Sequence, residues 1–256
     1  MRSFLAFLKK ELLESLRSGK LLILAILFFA LGVMNPAIAK LTPWIMEMFA
    51  DELAESGMII TEIKVDALTS WTQFFKNIPM GLIAFVFLYS GIFTKEYESE
   101  TLVPILTKGL ERYKVVIAKS FVMTLLWTVG YWLCFGVTYV YNDYFWDNGI
   151  AVGLAPAVIN WWMFGLFVIG LMILFSVVAR SYSGVLLGTG GCVFASYLLG
   201  LLPKVAKYLP TSLMNSSALL VGTESADEYG KALAVTVMLL FICLASSIPM
   251  FNKKRI

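Results

Sequence analysis

The chain has 256 residues, of which 59% are hydrophobic and only 14% are charged, and its formal net charge is +3. In soluble domains, about a quarter of the residues are usually charged. This chain has too few polar residues to cover the surface that a soluble fold of its size exposes to water, so an aqueous fold is excluded. The sequence contains no histidine, which removes the commonest general base and every Ser–His or Cys–His catalytic arrangement. The three cysteines lie in apolar runs without paired spacing, as small buried hydrophobes do.

Residues 3–19 have the periodicity of an amphipathic helix. Apolar side chains fall on one face at Phe4, Leu5, Leu8, Leu12 and Leu16. Charged side chains fall on the other face at Lys10, Glu11, Glu14 and Arg17. We expect this helix to lie in the membrane interface with its apolar face in lipid. Residues 1–20 would serve either as a simple anchor or as an elbow that couples the first span to a cytoplasmic partner.

Six apolar runs come close to or exceed the roughly 20 residues that a helix needs to cross the hydrocarbon core. They are residues 21–39, 78–94, 115–141, 158–179, 183–202 and 232–251. Lys119, the one charged residue inside them, is assigned to the loop before the third run. Residues 37–39 resemble a signal-peptide cleavage site, but the charged lead-in is long for a signal, so we expect a retained first span. The sequence predicts an all-α polytopic membrane protein with six transmembrane helices in one domain, residues 1–256.

An acidic segment, residues 41–77, separates the first two runs and is predicted to be an outer loop. Its carboxylates are Glu47, Asp51, Glu52, Glu55, Glu62 and Asp66. The segment would act either as a solvated cap or as a gate or recruitment surface for a cationic substrate, and charge does not decide between these roles.

The loop after the second run, residues 95–114, is charged at both ends and apolar in the middle. Residues 96–106 are predicted to form a short helix, which Pro104 would weaken because proline lacks an N–H group. A second turn is expected near Gly109. The loop is either a docking element or an ordinary connection.

The fifth run carries small residues at every fourth position. They are Gly184, Gly188, Cys192, Ser196 and Gly200. Small side chains let membrane helices approach closely. We expect this series either to pack within the subunit, or to lie at an interface between subunits or along a seam that opens during transport.

Lysine and arginine are unevenly distributed between the two sides of the predicted membrane. The N-terminal segment, the loop after the second run, position 180 and the C-terminal tail hold 14 of them, and the opposite loops hold six. Because cytoplasmic loops carry the excess, the side with 14 is predicted to be cytoplasmic. Both termini are then cytoplasmic, in a multi-pass protein of the cell membrane that we expect to be bacterial.

Two segments give the chain a resemblance to a known family. The N-terminal helix contains a Lys-Glu-rich stretch, Lys9-Lys10-Glu11, and the loop contains acidic residues, a Thr-Leu pair, a leucine and two basic residues. In the loop these are Glu96, Glu98, Thr101, Leu102, Leu106, Arg112 and Lys119. Over its whole length the chain resembles the transmembrane permease subunit of ABC-2 type transporters. It departs at Glu100, where the family often has glycine, and at Gly109, where the family often has proline.

The resemblance implies roles for both segments. An elbow helix with Lys9, Lys10 and Glu11 and a cytoplasmic coupling helix would pass movement into the spans. A separate ATP-binding subunit would dock on Glu96, Glu98, Thr101, Leu102, Leu106 and Arg112. That subunit would hold ATP and magnesium, while this chain would bind no cofactor or metal and would not be an enzyme. Two permease copies, or this chain and a related permease, would export a hydrophobic or amphipathic substrate such as a peptide, lipid or drug, without nucleic acid.

The same sequence bears on four other functions: ATP binding, ion-coupled transport, membrane assembly and catalysis in the membrane. A phosphate-binding loop needs G-x-x-x-x-G-K-[ST], and neither Gly-Lys pair, at residues 19–20 and 230–231, fits it, so the ATPase must be another chain. An ion-coupled secondary carrier would keep ionisable residues in the membrane or use a broken helix, which Asn35-Pro36 could mark. A non-transporting membrane assembly protein is a further alternative. A membrane-embedded enzyme is disfavoured because histidine is absent from the sequence and no carboxylate lies in the apolar runs.

Overall fold

A computed structural model describes residues 2–49, 65–107, 109–215 and 217–254. Within these ranges the chain is helical and contains no strand. Its α-helices are α1 (Arg2–Arg17), α2 (Lys20–Met48), α3 (Ala67–Tyr89), α4 (Thr94–Glu98), α5 (Leu102–Thr107), α6 (Arg112–Phe145), α7 (Leu154–Val178), α8 (Tyr182–Leu199), α9 (Pro203–Ala206), α10 (Ser217–Val221) and α11 (Gly230–Lys253). Short 3-10 helices are Asn148–Ile150, Pro210–Met214 and Ala226–Tyr229.

Six of the described helices, α2, α3, α6, α7, α8 and α11, are long and apolar enough to cross a membrane. The prediction of an all-α polytopic membrane protein with six spans is therefore confirmed. Glu11 of α1 contacts Lys119 near the start of α6, and Arg112 contacts Lys254 after the end of α11. Both ends of the chain thus lie at one end of the bundle, which we call the terminal end, and the opposite end is the far end.

The helices extend beyond the apolar runs that predicted them. α2 has 29 residues, more than the roughly 20 that the hydrocarbon core requires. The predicted outer loop, 41–77, is helical at both ends, because α2 continues to Met48 and α3 begins at Ala67, where Asp66 accepts a hydrogen bond from the Thr69 backbone at 3.0 Å. A hydropathy pattern marks only the lipid-crossing part of a helix, whereas backbone hydrogen bonds continue where side chains become polar. Four carboxylates of that loop lie outside the described residues: Asp51, Glu52, Glu55 and Glu62.

α7 lies at the centre of the bundle and α8 lies at its edge. In the apolar window of α7, 72% of the residues are buried, against 11% in α8. α7 packs against α11, α8, α6 and α3, while α2 packs against α6 and α3. Most of the α8 surface is therefore left to lipid or to another protein.

Phe28 of α2 sets the spacing of three spans. It is fully buried and packs edge-on against Trp127 of α6, with ring centroids 5.8 Å apart. Gly81 of α3 and Gly130 of α6 face this ring, and a Cβ atom on either would lie 2.7 Å from it. Gly165 of α7 makes similar room for Trp127. Glycine at these positions lets four spans pack closely, as small residues do in membrane bundles.

α2 is continuous through Asn35 and Pro36, so this pair does not mark a broken helix. Proline cannot donate to the carbonyl of Gly32, four residues earlier. The Thr138 hydroxyl from α6 donates to that carbonyl at 3.0 Å, and Asn35 Nδ2 donates to Thr138 Oγ1 at 3.0 Å. Asn77 of α3 donates to Asn35 Oδ1 at 2.9 Å. This network joins three spans and satisfies the carbonyl that proline leaves free.

Candidate functional site

A cluster of buried charged side chains lies at the terminal end, where α1, α4 and α6 meet. Lys119 of α6 is 1% exposed, Glu11 of α1 is 5% exposed and Glu96 of α4 is 6% exposed. Lys119 Nζ lies 2.8 Å from Glu11 Oε2 and 2.8 Å from Glu96 Oε2. Lys10 Nζ of α1 lies 3.1 Å from Glu11 Oε1 and 2.7 Å from Glu96 Oε1. Each carboxylate bridges both lysines, and these four residues, which we call the charge ring, join three helices.

Hydrogen bonding and aromatic contacts surround the inner lysine of the charge ring. Lys119 donates a hydrogen bond to Glu11, whereas its contact with Glu96 is an ion pair without hydrogen-bond geometry. Its ammonium group also lies 5.4 Å from the centre of the Phe93 ring and 5.8 Å from that of Phe7. Both distances are within cation–π range. The ammonium group of Lys119 therefore has both carboxylates and aromatic rings as neighbours.

Lys10 is the member of the charge ring that lies nearest to solvent, and its side chain is partly exposed. Burial lowers the pKa of Lys10, but the hydrogen bond and charge of Glu96, together with the charge of Glu11, outweigh burial and raise that pKa. Burial would raise the pKa of Glu14, but the hydrogen bond and charge of Lys10, 2.9 Å away, lower it. Both groups are therefore charged at neutral pH.

The buried face of α1 differs from the face that the hydropathy pattern predicts. Phe7, Glu11 and Ser15, spaced four residues apart, are buried, whereas Leu5 and Leu16 are 60% and 53% exposed. Hydropathy assigns the glutamate to the polar face because it takes no account of partners. A lysine from α6 pairs with this carboxylate and makes its burial possible. The two exposed leucines are left available to the membrane interface.

The segment between α3 and α6 contains two short helices where one, residues 96–106, was predicted. α4 and α5 are separated by residues 99–101. Glu100 has a φ of 52°, a left-handed conformation that glycine adopts readily and other residues adopt at a cost. The glycine typical of the family would therefore suit this position. Pro104 falls in the first turn of α5, where its missing N–H group has no helical partner, so it does not break the helix.

Two of the predicted docking residues are buried inside the chain. Glu96 belongs to the charge ring, and Leu102 is fully buried. Leu102 packs in a second apolar cluster with Phe7, Phe93, Leu110, Val115, Val116, Ala118, Val177 and Phe251. The prediction that both residues face a partner is corrected, because they attach the segment to the bundle.

Other predicted docking residues form the outer side of this segment. Glu98 and Thr101 are exposed, and Val103 beside them is also exposed. Leu106 is half-buried against the second apolar cluster. The surface open to a partner therefore centres on the turn between α4 and α5.

Arg112 and Lys254 cap the ends of two spans. Arg112, the first residue of α6, donates from Nη1 to the carbonyls of residues 251, 252 and 254, at 3.1, 3.2 and 2.7 Å. Lys254 Nζ donates to the carbonyls of residues 177, 178 and 179, at 2.6, 3.4 and 2.9 Å. These cations satisfy carbonyls that have no partner within their own helices. The half-buried Arg112 guanidinium, predicted to dock a partner, thus holds α6 to the end of α11.

Sequence reasoning found part of this site and missed part of it. Of the predicted elbow residues, Lys10 and Glu11 lie in the charge ring, and Lys9 is exposed. Lys119 matched the family pattern but was not predicted as a site residue. The signal for its role is its place inside an apolar run, because a lysine there needs a carboxylate partner to be buried. Neither the hydropathy pattern nor the family pattern indicates that Lys254 caps a helix.

The small residues of α8 do not lie on one face. Gly184 and Gly188 face α7, and a Cβ atom on either would crowd a side chain near the end of that helix. Cys192 is exposed, while Ser196 and Gly200 are half-buried. Residues four apart advance about 40° beyond a full turn, so the series rotates by about 160° over its length. Of the expected alternatives, close packing within the subunit is thus observed for the first two glycines only.

A groove runs along α8 between α3 and α7. Its first part has a volume of about 440 Å³ and mainly apolar walls. Tyr197, Thr211 and Met214 also border a second part of about 370 Å³. Ser212 and Asn215 add polar groups to this second part. The groove therefore changes from apolar to mixed character along its length.

The described residues define a polytopic helical membrane protein in which a short segment at the terminal end is anchored to two helices by buried ion pairs. The family model for ABC-2 family transporter proteins matches residues 5–254, and the chain belongs to this family. The resemblance inferred from the elbow and the loop is thereby confirmed. Members of this family are transmembrane components that generally work with an ATP-binding subunit.

The chain is also similar to a transmembrane protein of Bacillus subtilis (strain 168). This relative, the uncharacterized transmembrane protein YxlG, is 20% identical over 263 residues, which cover 99% of this chain and 98% of YxlG. No solved structure matches the chain.

Proposed function

We propose that this chain is the permease subunit of an ATP-driven exporter whose ATP-binding subunit is a separate protein. The observation that carries the proposal is the charge ring, because its ion pairs of 2.7–3.1 Å join the segment between α3 and α6 to two helices. Removing one partner of a buried ion pair costs about 3–5 kcal/mol. A displacement of the segment would therefore move α1 and α6 as well.

The ATP-binding subunit would dock on the exposed side of this segment. Glu98, Thr101 and Val103 are accessible there, with Leu106 at the edge. Glu96 and the buried Leu102 lie behind this surface and would hold it in place. This set revises the docking surface that the sequence predicts.

Movement of the segment would reach the spans by two routes. One runs from Glu96 to Lys119 and so directly into α6. The other runs from Glu96 through Lys10 into α1, and from there into α2. Gly19 stands between α1 and α2 with a φ of 72°, a conformation that glycine adopts without strain. α1 would thus act as the elbow that turns the chain into the first span.

The terminal end would face the cytoplasm. It carries most of the Lys and Arg residues, as cytoplasmic segments of membrane proteins do. ATP and magnesium would be held there by the partner subunit, and this chain would bind neither. α8, exposed over most of its length, would meet a second permease copy or a related permease.

The cargo would be hydrophobic or amphipathic, such as a peptide, a lipid or a drug. The groove along α8 supports this, because its apolar part would take a hydrophobic group and its mixed part a polar one. Ligand sites commonly combine such apolar walls with a few polar groups.

The test is purification of the chain from its native membrane, with the Glu98→Lys variant beside it. We expect a stoichiometric protein with a phosphate-loop motif to remain bound to the wild type and to be lost from Glu98→Lys. Asp227→Lys changes another exposed carboxylate, near the far end, and is the matched control that should retain the partner. If the wild type carries no ATP-binding protein under conditions that preserve known complexes, the proposal fails. Ion-gradient-driven transport would then test the secondary-carrier alternative.

A further inference from the structure

A concave surface lies between the last residues of α7 and α11 at the terminal end. It has a volume of about 570 Å³ and is lined by Val177, Val178, Arg180, Met250, Lys253 and Lys254. Val178 and Met250 are exposed, so the pocket opens onto the apolar outer surface of the two spans. The pocket therefore combines three cations with apolar walls at the level where the two helices end.

The cations of this pocket are not neutralised within the part of the chain that the structure describes. There, ion pairs with carboxylates involve Lys10, Lys114 and Lys119 only. Lys254 donates to three backbone carbonyls, which satisfy its N–H groups but carry no net charge. Burial, with a smaller contribution from the charge of Arg180, lowers the pKa of Lys254 to about 8. An anion in the pocket would oppose both effects, because a nearby negative charge favours the charged form of the lysine.

We propose that this pocket binds the phosphate group of an anionic phospholipid, with Arg180 and Lys253 as its ligands. Both side chains are exposed and free of carboxylate partners among the described residues. A guanidinium group can bind phosphate through two parallel hydrogen bonds, and basic pockets between membrane helices bind acidic headgroups. Val178 and Met250 would contact the first carbons of the acyl chains. Lys254 contributes charge only, because its donors are already used.

The bound headgroup would affect the docking segment as well as the two spans. Lys254 caps the end of α7, and its ammonium group lies 4.0 Å from the centre of the Tyr97 ring in α4. A phosphate beside this lysine would favour its charged form and so strengthen both contacts. Lipid binding would therefore stabilise the junction of α4, α7 and α11, independently of whether the chain transports a substrate.

The experiment is native mass spectrometry of the purified full chain titrated with phosphatidylglycerol, with phosphatidylcholine as the neutral comparison. A basic residue beside a bound anionic headgroup strengthens the binding of that lipid by about fivefold. We expect Arg180→Gln/Lys253→Gln to bind phosphatidylglycerol about 30-fold more weakly than the wild type. Lys9→Gln/Arg17→Gln removes the same charge from exposed positions at the same end, outside the pocket, and should change binding less than about threefold.

Three results would overturn the assignment. Equal losses in the two double variants would mean a general attraction of basic residues for acidic lipid. Displacement of phosphatidylglycerol by millimolar inorganic phosphate would make the ligand a free anion. A photoreactive phosphatidylglycerol that labels the wild type outside residues 177–180 and 250–254 would place the lipid elsewhere, and this measurement does not depend on the folding of any variant.

Discussion

The charge ring predicts unequal costs for the loss of its members. With the neighbouring Glu14, it brings together three carboxylates and two lysines. Lys119→Met would leave three carboxylates with Lys10 alone, whereas Glu96→Gln would leave two carboxylates with two lysines. Loss of one partner from a buried pair costs about 3–5 kcal/mol, because the remaining charge stays buried. We expect Lys119→Met to lie near the top of that range and Glu96→Gln near the bottom.

The size of this difference comes from the repulsion between carboxylates. Oxygens of Glu11 and Glu96 lie within 4.8 Å of each other, where two like charges repel by about 3.5 kcal/mol at an effective dielectric constant of roughly 20. Lys119→Met leaves Lys10 alone to offset this repulsion, whereas Glu96→Gln removes the repulsion itself together with one carboxylate charge. The Lys119→Met variant should therefore be less stable than Glu96→Gln by about 1–2 kcal/mol.

Thermal unfolding of the purified chain in detergent, followed by tryptophan fluorescence, measures this effect. A loss of 3–5 kcal/mol corresponds to a midpoint lower by roughly 10 °C for a chain of this size. Lys114→Met is the matched control, because it removes a surface lysine from the same helix, paired with Glu111 at 3.1 Å, and should leave the midpoint nearly unchanged. Equal midpoints for Lys119→Met and Lys114→Met, or a lower midpoint for Glu96→Gln than for Lys119→Met, would refute the reasoning.

Three further substitutions can be checked with the same unfolding assay. Thr138→Val should cost about 1–3 kcal/mol, because it leaves a buried carbonyl and an amide without their partner; an unchanged midpoint would contradict this. Glu100→Gly should stabilise the chain by about 0.5–1 kcal/mol, because glycine adopts the φ of 52° without strain, and lower stability would count against it. Gly165→Ala should lower the midpoint by several degrees, because its Cβ would overlap Trp127. Gly136→Ala, with no heavy atom within 4 Å of the added Cβ, should not.

The spans could be predicted from the sequence, because lipid requires long, nearly uncharged helices. The helix ends could not be predicted in the same way. Met48 and Ala67 lie well outside the apolar runs, and helical hydrogen bonding does not depend on the polarity of the side chains it carries. The rotation of the small residues around the axis of α8, in contrast, follows from helix geometry alone. It could be predicted from the spacing of Gly184 and Gly200.

The charge ring depends on contacts that no local pattern contains. Glu11 and Lys119 are 108 positions apart in the chain, and amphipathic periodicity treats the glutamate as a surface residue. The lysine inside an apolar run shows that a partner is needed, but several carboxylates in the two neighbouring segments could serve. Only the packing of α1 and α4 against α6 selects Glu11 and Glu96.

Buried ion pairs between these helices fix their relative position, which an apolar contact would not do. Well-packed apolar side chains can replace a buried ion pair without loss of stability, so stability does not account for the charges. A slide of α4 by one turn, about 5.4 Å, would separate Glu96 from Lys119 and leave this buried lysine with one carboxylate partner fewer. Apolar surfaces would tolerate the same slide at smaller cost. We infer that the charge ring fixes the docking segment in one register, so that a displacement imposed there moves α1 and α6 with it until the applied free energy exceeds that of the ion pairs.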